Sequence, residues 1–537
     1  MAETVFPGNL TESLRRIAQA VAKSDFRDGY ETAEAALAQG AVHPTLFNAK
    51  ALWLERTGRD EDALAEFEQA LSLSPQDVTI LNAVGMCLLR LKRPTDAAMA
   101  FEEAIQSDPN HAPSHYRRGL ALAAAGDHQG AERAHERAVA LAPRNADALA
   151  NLASILARKG EGARAVSLAH RALSIRPSQP TASYALALVD LAEARFADAE
   201  SRLKTLAESK ELNPQARAAI VGAIGDALDG QKRYPEAFET YIRQKAMLQE
   251  QKGTGTAPNA LRVRELVQRL EASPRQPARP SEESEAATPR EHVFLLGFPR
   301  SGTTLLEQVL ASSPQIATLD EKDTLRGFEP ESLSLTDIDA DNDKLLNWRE
   351  RYWQRVRSCG IALNQETILL DKDPIATMKL PLIVRLFPRA KILFAVRDPR
   401  DVVFSCFRHL FRVQVLMPEF LTLEGTAELY SNVMRLAELC REKLTFPWFD
   451  CRYESFVKEF EPSAEALCKF IGLEYSPAMA NFDKAAPQID LRSPSALQVR
   501  KPLYETGIDQ WRNYREQMAP VLSTLRPWIE KFGYEPE

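Results

Sequence analysis

A glycine-rich turn at residues 297–304 is the first stretch whose residue types could do chemistry. It reads G-F-P-R-S-G-T-T and follows an apolar run, so it predicts a turn between a buried strand and a helix. Backbone amides at such a helix start can bind an anion. A P-loop needs lysine where this chain has Thr303, and the cation of this turn is Arg300. The turn therefore predicts a phosphate-binding loop and disfavours a kinase or ATPase.

A second candidate phosphate site lies in V-R-D-P-R-D-V-V-F-S, residues 396–405. Arg397 ends an apolar strand pattern, Pro399 suits the first turn of a helix, and Ser405 lies two turns along that helix. A guanidinium fork and a hydroxyl can bind one phosphate together. Each residue alone is typical of a surface ion pair or a solvated serine. Two such sites at neighbouring strand ends predict a ligand that is phosphorylated at two separate places.

Together these motifs resemble the sulfotransferase superfamily over about residues 290–535. The donor of that superfamily is 3′-phosphoadenosine 5′-phosphosulfate (PAPS), and the transfer requires no metal. The resemblance implies that the loop holds the 5′-phosphosulfate and that Arg397 and Ser405 hold the 3′-phosphate. Within the superfamily the likeness is greatest to the protein-tyrosine sulfotransferases and to bacterial proteins that fuse repeats to the same domain. The loop residues that it assigns to the donor are Arg300, Ser301, Gly302, Thr303 and Thr304.

Four further segments carry the likeness to the tyrosine-sulfating enzymes. L-D-E-K implies Glu321 as the catalytic base, and D-K-D-P implies Lys372 as the group that stabilises transition-state charge. S-A-L-Q-V-R-K-P implies Ser495 as a transition-state contact and Lys501 as a ligand of the donor phosphate. C-R-Y-E-S-F has Tyr453 where those enzymes use a tyrosine to bind the donor.

The sequence departs from that pattern at three positions. Leu319 replaces a glycine before the predicted base, His409 stands where an arginine is expected, and Gln510 where a lysine is expected. Taken alone, Glu321 lies in a run of charges that is typical of a solvated helix end. Lys372 lies between two aspartates, which is typical of a salt-bridged strand end. The motif spacing favours the catalytic interpretation of both.

Short apolar runs, each followed by a helical pattern, must position these residues. They cover residues 292–298, 367–373, 390–396 and 447–454. This alternation predicts a mostly parallel sheet that is covered by helices on both faces. Ligands of such sheets bind at the carboxyl ends of the strands, where the charged motifs lie.

The first half of the chain repeats with a period of 34 residues. Glycines keep this period at Gly58, Gly126 and Gly160, and Lys92 stands where the period would have a further glycine. Other small residues and alanines repeat with the same period at other positions of the unit. The pattern is similar to the tetratricopeptide repeat (TPR), a helix–turn–helix solenoid, over about residues 45–250. The prolines that end each unit are Pro75, Pro109, Pro143 and Pro177.

The predicted fold class is an N-terminal TPR-like α-solenoid followed by a P-loop-like α/β sulfotransferase domain with a central parallel sheet. The predicted domains are a helical repeat domain at 1–250, a linker rich in Pro, Ser and Glu at 251–290, and the sulfotransferase domain at 291–537. A solenoid of this kind usually binds peptides or proteins, so it predicts either a substrate-docking surface or a scaffold.

Composition excludes several other classes. The 537 residues carry a net charge of −7, which argues against non-specific nucleic-acid binding. The six cysteines form no C-x-x-C pair, so neither a disulfide framework nor a metal site is expected. No leader pattern and no apolar stretch of membrane-spanning length is present, so we expect a cytoplasmic protein without a membrane partner.

Three hypotheses about the acceptor and the function stay open. The favoured one is tyrosine in a protein or peptide that docks on the solenoid. The second is a carbohydrate or small-molecule hydroxyl, because the donor site is shared across the superfamily. The third is a TPR interaction protein with a regulatory or vestigial donor site. Homo-oligomerisation is compatible with all three.

Overall fold

The computed structural model describes residues 9–252, 258–273, 289–322, 324–325, 327, 342–410, 418–482 and 507–536. The chain divides into two compact units, Met1–Ala192 and Glu193–Glu537. The border between the units thus falls within the repeat region. The predicted domain borders at residues 250 and 290 stay predictions.

The described part of the first unit consists of helices that follow one another as antiparallel hairpins. These helices are α1 (Asn9–Ala22), α2 (Phe26–Ala38), α3 (Pro44–Arg56), α4 (Asp60–Leu73), α5 (Val78–Arg90), α6 (Pro94–Ser107), α7 (Ala112–Ala125), α8 (His128–Leu141), α9 (Ala146–Arg158), α10 (Gly162–Ile175) and α11 (Pro180–Ala192).

A residue with positive φ turns the chain within each hairpin. Gly58 and Gly126 have φ of 75° and 86°, as the repeat period predicts. Lys92 keeps the same turn at 58°, although its Cβ disfavours this conformation. Ser24 and Ala194 make the same kind of turn, with φ of 57° and 58°. Neither is a glycine, so the sequence pattern did not indicate these turns. The turn is therefore kept by the packing of the helices as well as by residue type.

Small residues lie where the second helix of a hairpin crosses the first. A Cβ at Gly85 would lie 2.6 Å from the Phe101 ring, and one at Gly119 would lie 2.6 Å from the His135 ring. Burial beside this glycine lowers the pKa of His135 to about 4, so its imidazole packs as a neutral ring. These contacts confirm the predicted helical repeat.

The second unit begins with four helices and continues into a parallel sheet. The helices are α12 (Phe196–Ala207), α13 (Pro214–Gly230), α14 (Tyr234–Lys252) and α15 (Pro258–Ala272). The strands are β1 (Glu291–Gly297), β2 (Ile316–Asp320), β3 (Ile368–Lys372), β4 (Lys391–Val396) and β5 (Trp448–Arg452).

The sheet has the strand order β2-β3-β1-β4-β5, and every pair of neighbours is parallel. Its central strand β1 is buried because both neighbours and the helix after it cover it, with Val293 and Leu295 fully buried against Val309. Four strands match the predicted apolar runs. The strand that the sequence interpretation did not include is β2, which lies at the edge and is only partly buried. The sheet and the repeats confirm the predicted fold class.

Further helices and short 3-10 turns complete the second unit. The helices are α16 (Thr303–Ala311), α17 (Asn342–Ser358), α18 (Leu380–Leu386), α19 (Pro399–Arg408), α20 (Leu423–Lys443), α21 (Tyr453–Lys458), α22 (Phe460–Ile471) and α23 (Arg515–Lys531). The 3-10 turns are Pro374–Lys379, Glu419–Leu421, Pro477–Asn481 and Gln510–Tyr514.

Helix α14 of the repeat region and helix α15 of the predicted linker are part of the core of this unit. Helix α15 packs on α20 through the buried side chains of Val263, Leu266 and Leu270. Leu248 of α14 lies in one apolar cluster with Leu421. The stretch predicted as a linker therefore contains a helix with a buried apolar face.

Candidate active site

A predicted functional residue lies at or just after the carboxyl end of each of the five strands. The loop of residues 298–302 follows β1, Glu321 follows β2, and Lys372 ends β3. Arg397 follows β4, and Tyr453 begins the helix after β5. Because all strands are parallel, these ends share one edge of the sheet. The sheet therefore brings together residues that are far apart in the sequence.

The loop after β1 adopts a backbone conformation that few residues tolerate. Arg300 has φ of 72°, in the left-handed region that disfavours side chains, and Gly302 has φ of 97°. A Cβ at Gly302 would lie 2.6 Å from the ring of Tyr453, so only glycine fits beside this tyrosine. Helix α16 begins directly after Gly302, and the amides of its first turn are those of a potential anion site. Ser301, Thr303 and Thr304 are buried at this helix start.

Arg300, Arg397 and Ser405 form one polar cluster. Arg300 Nε donates to Ser405 Oγ at 3.0 Å, and Arg397 Nη1 donates to the Arg300 carbonyl at 2.9 Å. Arg397 also donates to the Gly507 carbonyl, and its guanidinium lies 4.8 Å from the centroid of the Tyr453 ring. Its Nε is buried without a hydrogen-bond partner among the described residues. The two predicted phosphate motifs are thus in direct contact.

Lys372 lies among three carboxylates. Its side chain is fully buried, and its Nζ lies 2.9 Å from Glu321 Oε1, 3.4 Å from Glu307 Oε2, and in contact with Asp320. Burial by itself lowers the pKa of Lys372, but the charges of Glu307, Glu321 and Asp320 outweigh it and raise this pKa well above its usual range. Lys372 therefore stays charged across the physiological pH range.

Glu307 is the member of this cluster that the sequence interpretation did not include. It lies on α16, is 1% exposed, and burial raises its pKa to about 8. The signal was present, because a Glu-Gln pair interrupts the otherwise apolar stretch L-L-E-Q-V-L-A. A buried ionisable side chain in such a stretch usually has a partner, and here the partner is Lys372.

The predicted base, Glu321, is fixed by the backbone and by the segment after it. Its amide donates to the Lys372 carbonyl at 2.8 Å, and its φ is 47°. Three residues on, Thr324 donates its hydroxyl to buried Asp371 at 3.0 Å. Tyr352 donates to the same carboxyl at 2.8 Å, and burial raises the pKa of Asp371 to about 7. With its side chain 32% exposed, Glu321 is held beside Lys372 and still reaches solvent.

Two predicted site residues, Ser495 and Lys501, lie outside the described residues. Of the departures from the family pattern, His409 follows α19 and its Nδ1 lies 2.8 Å from the Ser405 carbonyl. The adjacent Arg408 contacts Asp229 of α13 at 3.5 Å. Gln510 begins the turn that precedes α23.

The described residues hold no cluster of His, Cys, Asp and Glu side chains that could bind a metal ion. None of the described helices is long and apolar enough to cross a membrane.

Comparison with known proteins assigns both parts of the chain to a class. Residues 292–477 match the sulfotransferase family. Residues 116–180 match the tetratricopeptide repeat, and residues 12–141 match the N-terminal TPR region of Psidin. The chain therefore combines N-terminal TPRs with a sulfotransferase-family domain.

Individual relatives are similar to parts of this chain. An uncharacterised protein of Aquifex aeolicus is 24% identical over 351 residues, which are 61% of this chain and 44% of that protein. A putative protein-tyrosine sulfotransferase of Caenorhabditis briggsae is 24% identical over 262 residues, which are 45% of this chain and 89% of that one. This chain thus spans less than half the length of the Aquifex relative.

Among solved structures, a tetratricopeptide repeat protein of Parabacteroides merdae matches with 17% identity and a TM-score of 0.37. The match covers 45% of this chain and 94% of that structure.

Proposed function

We propose that this chain is a sulfotransferase that moves a sulfuryl group from PAPS to an acceptor hydroxyl, with tyrosine in a protein or peptide as the acceptor. The observation that carries the proposal is the contact of Lys372 with Glu321 at 2.9 Å, at the sheet edge that also holds Arg300 and Arg397. A cation and a carboxylate beside a phosphate-binding loop are the groups that this transfer needs.

The donor site has properties that suit a nucleotide with two separate phosphate groups. Arg397 has a buried Nε without a partner among the described residues, and the Arg300 guanidinium lies beside it on Ser405. Glycine at residue 302 lets the ring of Tyr453, a predicted donor ligand, lie directly against the loop. These features support PAPS as the donor, with Arg300 to Thr304 on the 5′ side, and Arg397 and Ser405 on the 3′-phosphate. Ser495 and Lys501 stay assigned to the site by resemblance.

The residues of this chain would share the work as follows. PAPS supplies the sulfuryl group, whose bond to the phosphate oxygen breaks as a bond to the acceptor oxygen forms. A phenol with a pKa of about 10 is not ionised near neutral pH, so Glu321 accepts its proton. Lys372 stabilises the negative charge that grows on the departing phosphate oxygen. In this proposal Ser495 assists at the transition state.

The TPR part supports a polypeptide as the acceptor. Stacked helical hairpins form a surface that binds extended polypeptides, so we assign the repeats to recruiting the protein that is sulfated. The relatives named as protein-tyrosine sulfotransferases support tyrosine as the residue that is modified.

The acceptor is tested by incubating the full chain with sulfur-labelled PAPS and a cell extract, then separating protein, glycan and metabolite fractions. We expect label in protein, and after alkaline hydrolysis on tyrosine. Label found only in glycans or metabolites would replace the tyrosine assignment with a carbohydrate or small-molecule acceptor.

A further inference from the structure

Lys245 is a buried lysine that the donor and catalytic residues named so far do not include. It lies on α14 and is 3% exposed. Its Nζ donates to the His409 carbonyl at 2.8 Å and lies 5.7 Å from the centroid of the Phe407 ring. Among the described residues, no carboxylate pairs with this ammonium. A buried cation without an anion is costly, and burial lowers the pKa of Lys245 to about 7.

A helix end explains only part of this arrangement. His409 is the residue that caps the carboxyl end of α19, where unpaired carbonyls favour a cation. One carbonyl uses one of the three N–H groups of an ammonium. A neutral amide could make the same hydrogen bond without the cost of burying a charge. When Lys245 is protonated, N–H groups of its ammonium therefore remain for a further partner.

Lys245 is connected to the predicted donor ligand Ser405 through His409, whose Nδ1 lies 2.8 Å from the Ser405 carbonyl. Burial raises the pKa of Cys406 to about 12, and the charges of Arg300, Arg397 and Lys245 oppose this rise. The three cations thus act on one thiol in α19. Burial likewise lowers the pKa of His409 well below its usual value, with Arg300, Arg408 and Lys245 acting in the same direction. Several positive charges converge on the carboxyl half of α19.

The described acid that contacts Arg397 offers this cation little compensation. Asp401 lies 3.9 Å from Arg397, and its carboxylate already accepts the backbone amides of Asp509 and Trp511 at 2.9 Å each. Burial raises the pKa of Asp401 to about 6, which weakens its share of negative charge at mildly acidic pH. An anion that enters beside Arg397 would meet a positive charge that this acid only partly offsets.

We infer that Lys245 supplies a second cation, beside Arg397, for the 3′-phosphate of the donor, and that it reaches the site from repeat helix α14. The inference rests on the proposed function, because the anion is the nucleotide that the function requires. His409 stands where the resemblance predicts an arginine, and Lys245 donates to the carbonyl of this same residue. The lysine thus compensates from another element for the charge that the chain lacks at residue 409.

The test compares the affinity of two nucleotides for the full chain. One is 3′-phosphoadenosine 5′-phosphate, and the other is adenosine 5′-phosphate, which lacks the 3′-phosphate. The variant is Lys245→Gln, whose amide can still donate to the His409 carbonyl. The conservative variant is Lys245→Arg, and the matched control is Arg243→Met, because Arg243 is exposed on the same helix.

We expect Lys245→Gln to weaken binding of 3′-phosphoadenosine 5′-phosphate roughly tenfold or more, as for a lost charged hydrogen bond. Binding of adenosine 5′-phosphate should change less than about twofold, since the lost contact is with the 3′-phosphate. Lys245→Arg should retain most of the affinity, and Arg243→Met all of it. Thermal unfolding of each variant shows whether the fold is kept.

Three outcomes would overturn the inference. Unchanged affinity of Lys245→Gln for both nucleotides would remove Lys245 from the site. An equal loss for both nucleotides would make Lys245 a cap of α19 only. A wild-type protein that binds neither nucleotide would refute the donor site as a whole, and with it the proposed function.

Discussion

At the scale of residues, Lys372 is the cation of the site that contacts three acidic side chains. Its ammonium is fully buried, and three carboxylates from α16 and the end of β2 surround it. The pair that the proposed chemistry uses, Lys372 with Glu321, is thus embedded in a larger ionic cluster. Removing one member changes the electrostatics of the rest.

Replacing Lys372 with methionine should destabilise the protein by about 3–5 kcal/mol, because it removes the fully buried cation that Asp320, Glu321 and Glu307 share. Urea unfolding at pH 7 measures this change. The matched control is Lys391→Met, since Lys391 also pairs with a carboxylate, Glu291 at 2.8 Å, but in a partly exposed position. That substitution should cost at most about 1 kcal/mol. Equal costs at both positions would contradict the buried cluster.

Glu307 should make stability fall as the pH rises. Burial raises its pKa from 4.5 to about 8, so the folded protein keeps a proton that the unfolded chain releases above its ordinary pKa. The stabilisation is complete below pH 4.5 and is lost as the pH approaches 8. Glu307→Gln lacks this titrating group, so the loss disappears. As the pH rises, the free energy of unfolding of the variant should increase relative to that of the wild type by at most about 1.4 kcal/mol per pH unit.

Urea unfolding of both proteins between pH 5 and pH 8 measures this difference. Asp371 and Asp373, whose pKa values burial raises to about 7 and about 6, are present in both proteins and cancel in the comparison. Parallel stability curves for the two proteins would show that Glu307 does not hold a proton near neutral pH.

At the scale of elements, helix α19 connects the donor site to the repeat helices. Its Ser405 bonds to Arg300 of the loop, and the residue at its carboxyl end accepts from Lys245 of α14. Arg408 contacts Asp229 of α13, and Tyr514 donates to the same carboxylate. The last repeat hairpin therefore helps to hold the helix that carries a predicted donor ligand.

The link through α14 predicts a pH dependence of donor binding. The pKa of Lys245 is lowered to about 7, so the ammonium loses its proton as the pH rises through this value. The groups around it stay neutral there, because burial raises the pKa of Cys406 and lowers that of His409. Arg300 and Arg408, which also act on His409, stay charged.

Affinity for 3′-phosphoadenosine 5′-phosphate should therefore fall between about pH 7 and pH 9 by up to roughly tenfold per unit. Lys245→Arg keeps its charge and should show a flatter profile. Titration calorimetry across this range measures both. Identical profiles for the two proteins would contradict a role for the Lys245 charge in binding.

The sequence predicted elements wherever residue type alone determines them. The 34-residue period located the hairpins, and even Lys92 keeps the expected turn. Strand β2 was not predicted, because its I-A-T-L-D is short, partly buried and close to polar residues. For the site, the motifs indicated Glu321 and Lys372 separately. Their contact depends on the pairing of β2 with β3, which a single sequence does not encode locally.

At the scale of the whole molecule, the two compact units meet inside the repeat region, and the predicted domain borders at residues 250 and 290 stay predictions. The compact units are Met1–Ala192 and Glu193–Glu537, so α12 to α15 belong with the sheet. Long-range contacts such as Tyr514 with Asp229, and Glu419 with the amide of Asn259, could not be predicted from composition.

This division predicts which fragments fold. A fragment of residues 193–537 should be soluble and unfold in one cooperative transition, because it retains the apolar contacts of α14 and α15. A fragment of residues 291–537, cut at the predicted linker, should aggregate or unfold broadly, since the surface under α15 is exposed. Circular dichroism and thermal melts measure both. A cooperative transition in the shorter fragment would contradict the structural division.

The central claim is that the chain transfers a sulfuryl group with Glu321 as the base. Its most direct test measures transfer of labelled sulfur from PAPS to acceptors of a cell extract, alongside donor affinity, in wild type and Glu321→Gln. We predict transfer by the wild type, and in the variant a loss of roughly 10²–10⁴-fold in rate with donor binding retained. Donor binding without transfer in either protein would contradict the claim and favour a TPR interaction protein with a vestigial site.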